Sequence, residues 1–153
     1  MQALELKVPP PVVAALVGAS MWVMSKLAPA IAEPEFVRTV TALAVALAGA
    51  ALTIAGLLSF RQARTTVNPM KPEATALLVR SGVYSVSRNP MYLGLLVVLL
   101  AWAAFLPSAW AMLGPLAYAL YINRSQIAPE EWILSAKFGA SYAEYKSRAR
   151  QWL

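Results

Sequence analysis

The chain has 153 residues, 59% of them hydrophobic and 13% charged, with a mean hydropathy of +0.58. A soluble domain averages about 45–50% apolar and about 25% charged, so this composition is that of a single membrane domain spanning residues 1–153. The formal net charge of +6 is what the cytoplasmic loops of such a protein carry, and it requires no nucleic acid. The absence of Cys, His and Asp excludes disulfides, haem or zinc held by His and Cys, and Ser-His-Asp triads, and no metal site is expected.

The first apolar stretch, residues 10–28, is interrupted only by Lys26 and opens on Pro9, Pro10 and Pro11. Proline is harmless at a helix start, where the first N–H groups have no partner. Glu5 beside Lys7, with Trp22 and Met24 in place of small residues, argues for a span over a cleaved signal peptide. Glu33-Pro34-Glu35 then turns the chain into a second, uncharged span over 39–60, longer than the roughly 20 residues a bilayer requires. Its small residues, Gly49, Ala50 and Gly56 among them, let a neighbouring helix approach closely or leave a lateral slot for an acyl chain.

Residues 61–90 are a different material, with Arg61, Arg64, Lys71, Glu73, Arg80, Arg88, Pro69 and Pro72 around an apolar patch at Ala76-Leu77-Leu78-Val79. They read as an ordered segment at the membrane surface. No charge follows until Arg124, and Pro107-Ser108 divides that run into a tight helical hairpin with arms over 91–106 and 109–124. Each arm is roughly 24 Å long at 1.5 Å per residue. That is short of a hydrocarbon core of roughly 30 Å, so either the helices continue or the bilayer thins. In residues 125–153, Glu130-Glu131 open a helix after Pro129, and Gly139 breaks it. Tyr142, Tyr145 and Trp152 mix with Lys146, Arg148 and Arg150 as in an interfacial helix.

The expected fold is therefore an all-α integral membrane protein with about four transmembrane helices, the last two a tight hairpin, and an amphipathic C-terminal interfacial helix. Eleven basic residues fall on the side of the termini and the 61–90 segment, against Lys26 and Arg38 on the other. This asymmetry predicts cytoplasmic termini, in a bacterial inner membrane, with 61–90 and 125–153 as the cytosolic segments that build the site.

Two pieces carry chemistry. The first is Leu78-Val79-Arg80-Ser81-Gly82-Val83-Tyr84 followed by Arg88-Asn89-Pro90-Met91-Tyr92-Leu93-Gly94, and the second is Pro129-Glu130-Glu131. A hairpin returns the chain to the side it left, so Arg88 and Glu130 are expected to meet. Taken singly, Arg88 reads as a positive-inside residue, Tyr92 as an interface aromatic and the Glu pair as first-turn acids. Taken in order, with Phe138-Gly139, Tyr142 and Tyr145 behind them, they resemble the isoprenylcysteine carboxyl methyltransferase and phospholipid methyltransferase superfamily over about residues 75–153.

That resemblance implies S-adenosylmethionine as methyl donor, leaving S-adenosylhomocysteine. Its contacts would fall on Ala76, Leu77, Leu78, Val79, Tyr84, Asn89, Pro90, Met91, Tyr92 and Glu130. Arg88, Tyr92 and Glu131 are the candidate catalytic residues, and Arg124 and Gln126 the candidate substrate contacts. Asn89 stands where the pattern has His. Gln126 stands where relatives acting on prenylcysteine have Arg, which favours a lipid amine over a prenylcysteine-like carboxylate as the membrane-bound acceptor. A small thiol, an NADPH-dependent reductase related to sterol reductases, and a non-enzymatic scaffold are the other readings.

Overall fold

A computed structural model describes residues 6–63 and 77–153. The expectations placed on Arg64, Pro69, Lys71, Pro72, Glu73 and Ala76 lie outside the described residues. The described chain is all-helical: α1 (Pro10–Leu27), α2 (Glu35–Gln62), α3 (Pro90–Phe105), α4 (Leu113–Ile122), α5 (Ala128–Phe138) and α6 (Ala140–Arg148), with short 3-10 turns at Gly82–Ser85 and Ala109–Met112. Among these residues there is no strand, and an isolated parallel bridge joins Ser87 to Arg150.

α1 starts where its prolines permit, and the Pro9 carbonyl accepts from the N–H groups of Val12 and Val13 at 2.9 and 3.2 Å. α2 is longer than the uncharged run alone and takes in Glu35 at its start, where a negative charge suits the helix dipole, and Arg61 in its last turn. α1 and α2 stay apart and both lean on α3. Their burial inverts the pattern of a water-soluble bundle. The buried positions of α2 are Ala42, Gly49, Gly56 and Ser59, whereas Leu43, Leu47, Ile54 and Leu58 point outward, as do Leu16, Val23 and Leu27 of α1. Both helices are long and apolar enough to cross a membrane, and such an apolar exterior has hydrocarbon as its natural solvent.

The small residues of α2 form a seam with α3. A Cβ on Gly94 would lie 2.1 Å from Thr53 Oγ1 and 2.7 Å from the Gly49 carbonyl, and one on Gly56 would lie 2.7 Å from Met91 Cγ. This seam fills the space in which an acyl slot beside Gly49 and Gly56 was expected.

The second arm of the hairpin differs from the sequence reading, which ended a helix at 124 and opened another after Pro129. The chain instead stays helical from the 3-10 turn at Ala109 through α4 and into α5, by way of a single π turn over Asn123–Ile127. Pro129 is the cause. It has no N–H for the carbonyl of Ser125, and its ring crowds that carbonyl, so the helix widens locally. The freed Ser125 carbonyl accepts the Leu6 N–H at 3.0 Å, and Gln126 Nε2 donates to the Val8 carbonyl at 2.9 Å. The amino-terminal segment is thus tied to the π turn. The 109–127 stretch reaches roughly 30 Å, whereas α3 keeps its 16 residues and stays at roughly 24 Å.

The tail is two short helices, broken at Gly139 as the sequence leads one to expect. Gly139, with φ +49°, caps α5 by donating its N–H to Ser135 at 3.0 Å and reverses the chain. α6 then folds back on α5, burying Tyr142 and Tyr145 against Leu78, Leu134 and Phe138.

The glycines yield a graded test. Gly94→Ala should lower stability by about 1–3 kcal/mol, since backbone and Thr53 stand in the way. Gly18→Ala meets its nearest side chain at 3.8 Å and should be neutral or gain up to about 1 kcal/mol from helix propensity. Thermal unfolding in detergent checks both, and equal effects would contradict the packing described.

Candidate active site

Three chain ends converge at one end of the bundle: the start of α3, the first turn of α5 and the end of α6. They enclose a small pocket of about 60 Å³ lined by Phe60, Leu78, Val79, Tyr84, Arg88, Asn89, Met91, Tyr92, Glu130, Glu131, Leu134, Tyr142 and Tyr145. The wall from 78 to 89 is held by the carboxyl-terminal strap. Arg88 N–H donates to the Arg150 carbonyl at 2.8 Å, Arg150 N–H to Val86 at 3.0 Å, and Asn89 Nδ2 to Gln151 at 3.0 Å. Tyr145 Oη donates to the Tyr84 carbonyl at 2.7 Å, and the Phe60 ring meets Tyr84 edge-on at 5.2 Å.

The two glutamates have separate tasks. Glu131 is fully engaged. Its Oε1 accepts from Arg88 Nε at 3.0 Å and Nη2 at 2.7 Å, and its Oε2 accepts from Lys146 Nζ at 3.0 Å. Arg88 Nη1 reaches past it to the carbonyls of Lys146 and Ala149, at the end of α6. The paired side chains of Arg88 and Glu131 are only 10% and 18% exposed. Removing Glu131 therefore leaves the Arg88 charge poorly solvated and without a carboxylate, at a cost of about 3–5 kcal/mol.

Glu130 has no paired cation among the described residues. Its Oε2 accepts from Tyr92 Oη at 3.0 Å. Burial pushes its carboxyl up to about 7, the Tyr92 hydrogen bond opposes the rise, and the neighbouring charge of Glu131 adds to it. Burial also raises the hydroxyls of Tyr84, Tyr142 and Tyr145 above the ordinary phenol range, so they remain neutral. The result is an apolar, aromatic pocket with one carboxylate poised between its two protonation states and lacking a cation.

Of the residues singled out from sequence, Leu78, Val79, Tyr84, Arg88, Asn89, Met91, Tyr92, Glu130 and Glu131 line this pocket together. Leu77 is exposed, and Pro90 is buried in the first turn of α3 outside the lining. Arg124 sits exposed on the π turn, and Gln126 is buried against Val8. Neither reaches the pocket, because the π turn directs them to other faces of the helix. Phe60 and Leu134 also line it and were not anticipated. Leu134 lies four residues after Glu130, on the same helix face, and that spacing was legible.

An all-helical bundle with apolar outer faces and an aromatic pocket at its helix ends defines the class: a membrane-type protein with a pocket where the chain leaves the apolar region. The family model described as phospholipid methyltransferase matches residues 37–141, well over half of the chain and including Arg88, Tyr92, Glu130 and Glu131. The chain belongs to that family. An uncharacterized protein of Haemophilus influenzae (strain ATCC 51907 / DSM 11121 / KW20 / Rd) is 49% identical over 63 residues, covering 41% of this chain and 100% of that protein. No solved structure matches the chain.

The Glu130 carboxyl makes stability depend on pH. Because folding raises its affinity for a proton, the folded state is most favoured below the unfolded value near 4.5 and loses stability as pH rises to about 7. The loss is about 3 kcal/mol at 1.36 kcal/mol per unit. Melting curves between pH 5 and 8 should show this decline for the native chain, while Glu130→Gln should be flatter and more stable at pH 8. An identical decline in the variant would move the titration to another group.

Proposed function

We propose that the chain is an integral membrane methyltransferase, using S-adenosylmethionine at the Glu130 pocket to methylate a lipid amine. Its four spans would be α1, α2, α3 and the 109–127 stretch, with both termini and the pocket cytoplasmic. The observation that carries this reading is Glu130: a largely buried carboxylate without a cation, bonded to Tyr92 and surrounded by aromatic faces. Such a group is a receptor for a cationic ligand.

The pocket's chemistry fits the donor. Its cationic groups suit Glu130 and the rings of Tyr84 and Tyr92. Its adenine suits the Leu78, Val79 and Leu134 walls, and its carboxylate suits the first-turn N–H groups of α3, which have no intrahelical acceptor. Ligand pockets run to about 300 Å³ or more, so the roughly 60 Å³ between these walls must widen on binding. The NADPH reading fares worse, because Arg88, the cation lining the pocket, is already held by Glu131.

When bound, S-adenosylmethionine supplies a methyl group on a sulfonium, already activated for displacement. The chain excludes water and aligns the acceptor nitrogen within about 3–3.5 Å of the methyl carbon. As the carbon–nitrogen bond forms, the carbon–sulfur bond breaks and the sulfur keeps its electron pair. The acceptor nitrogen must shed a proton before it attacks, to expose its lone pair, and with Glu130 ionised against the donor's cation that proton leaves to water. Tyr92 orients the Glu130 carboxylate toward that cation. Glu131, with both oxygens held by cations, braces the site and does not act as the base. Entry of the donor from the cytosol and of the acceptor from the bilayer is compatible with a pocket at the helix ends.

Titration calorimetry of the purified protein tests the donor site. S-adenosylmethionine should bind more tightly as pH rises through 7, since Glu130 must be ionised to receive a cation. Glu130→Gln should weaken binding about ten- to a hundredfold through loss of a charged hydrogen bond worth about 1.5–3 kcal/mol. Unchanged affinity in the variant, or preferential binding of NADPH, would contradict the assignment.

Orientation has its own test in this Cys-free chain. An impermeant thiol reagent added outside intact cells should label a cysteine at Ala32 and spare one at Ser81. Labelling at position 81 would put the pocket on the wrong side for a cytosolic donor.

A further inference from the structure

We propose that the groove between α1, α2 and α3 is a second ligand site, holding an acyl chain of an anionic phospholipid from the leaflet opposite the Glu130 pocket. Lys26 and Arg38 would receive the phosphate. The inference rests on the membrane reading above but not on the methyl-transfer reading.

The groove exists because α1 and α2 lean on α3 without closing on each other. It has a volume of about 800 Å³ and is walled by residues such as Ala14, Gly18, Trp22, Leu43, Ala46 and Trp102. Its few polar atoms are already satisfied within the protein. The Trp102 indole N–H donates to the Gly18 carbonyl at 3.0 Å, and Thr39 Oγ1 donates to the Glu35 carbonyl at 2.8 Å. What remains facing outward is hydrocarbon, which in water or lipid calls for an apolar occupant.

Length and charge select that occupant. The groove runs along α3 from Leu95 to Phe105, roughly 15 Å at 1.5 Å per residue, which is half of a hydrocarbon core of roughly 30 Å. It is therefore one leaflet deep. Its inner end is shut by the Gly94–Gly49 seam, where a Cβ would lie 2.7 Å from the opposing carbonyl. That closure separates it from the Glu130 pocket and from any acceptor bound there.

Its outer end is marked by two cations. Lys26 Nζ lies 5.6 Å from the centroid of the lining Trp22 ring. Arg38 Nη1 donates to the carbonyl of the lining Phe105 at 3.1 Å, while its buried Nε has no hydrogen-bond partner. Among the described residues neither cation pairs with a carboxylate, and Glu33 and Glu35 on the same connection are exposed. Two cations above a hydrocarbon trough one leaflet deep match a phosphate headgroup above its acyl chain.

The test compares purified full-length protein with added dioleoylphosphatidylglycerol or dioleoylphosphatidylcholine, read by native mass spectrometry and melting temperature. The anionic lipid should form a one-to-one complex and raise the melting temperature more than the zwitterionic one. Lys26→Gln, at an exposed side chain outside the packing, should remove that preference. Ala46→Phe should fill the groove and abolish the complex, while leaving S-adenosylmethionine affinity unchanged. Equal retention of both lipids, insensitive to Lys26→Gln, would overturn the headgroup assignment. A dimer that Ala46→Phe converts to monomers would overturn the lipid in favour of a second copy of the chain. Loss of S-adenosylmethionine affinity in Ala46→Phe would overturn the separation of the two sites.

Discussion

The Arg88 guanidinium is the interaction on which the site depends. It lies at the entrance to α3, grips Glu131 in the first turn of α5 through two nitrogens, and reaches the Lys146 and Ala149 carbonyls at the end of α6 with the third. Three segments far apart in sequence are thereby fixed around one charge. A rigid fork with five donors suits this task, whereas a lysine would supply a point charge to only part of it. Because Glu131 also receives Lys146, one carboxylate absorbs the local positive charge and leaves its neighbour without any. The separation of two adjacent glutamates into a brace and an uncompensated acid is what gives the pocket its character.

Beneath the pocket, packing does the corresponding work. The glycine seam between α2 and α3 brings Phe60 to Tyr84 and sets Met91 against Gly56. The π turn that Pro129 forces between α4 and α5 allows a helix that has crossed the bundle to continue into the polar region. Glu130 and Glu131 occupy the first turn of α5, immediately after that turn. A helix broken at 124 would have given the glutamates no fixed position relative to Tyr92.

Much of this was legible in the sequence for physical reasons. Long uncharged runs mark α1, α2 and α3, and the hairpin return places Arg88 near the glutamates. The small residues of α2 announce a close helix contact, and Gly139 announces a break. The π turn was not legible, because Pro129 reads equally as a helix start. Only the tertiary bonds to Leu6 and Val8 show how its cost is met. The division of labour between Glu130 and Glu131 was also hidden. It depends on which carboxylate Arg88 and Lys146 reach, and sequence spacing does not contain that information. The same holds for Gln126, which a linear pattern offers as a substrate contact and which the fold buries under the amino-terminal segment.

The methyl transfer proposed for the Glu130 pocket has a membrane lipid as its acceptor. The most direct measurement incubates purified protein with methyl-labelled S-adenosylmethionine and vesicles of phosphatidylethanolamine, or with a farnesylcysteine analogue, and follows label into each acceptor. Label is expected in the lipid amine, with little in the farnesylcysteine carboxylate and loss of transfer in Glu130→Gln. Transfer undiminished in Glu130→Gln, or label confined to farnesylcysteine, would contradict methylation of a lipid amine at this pocket.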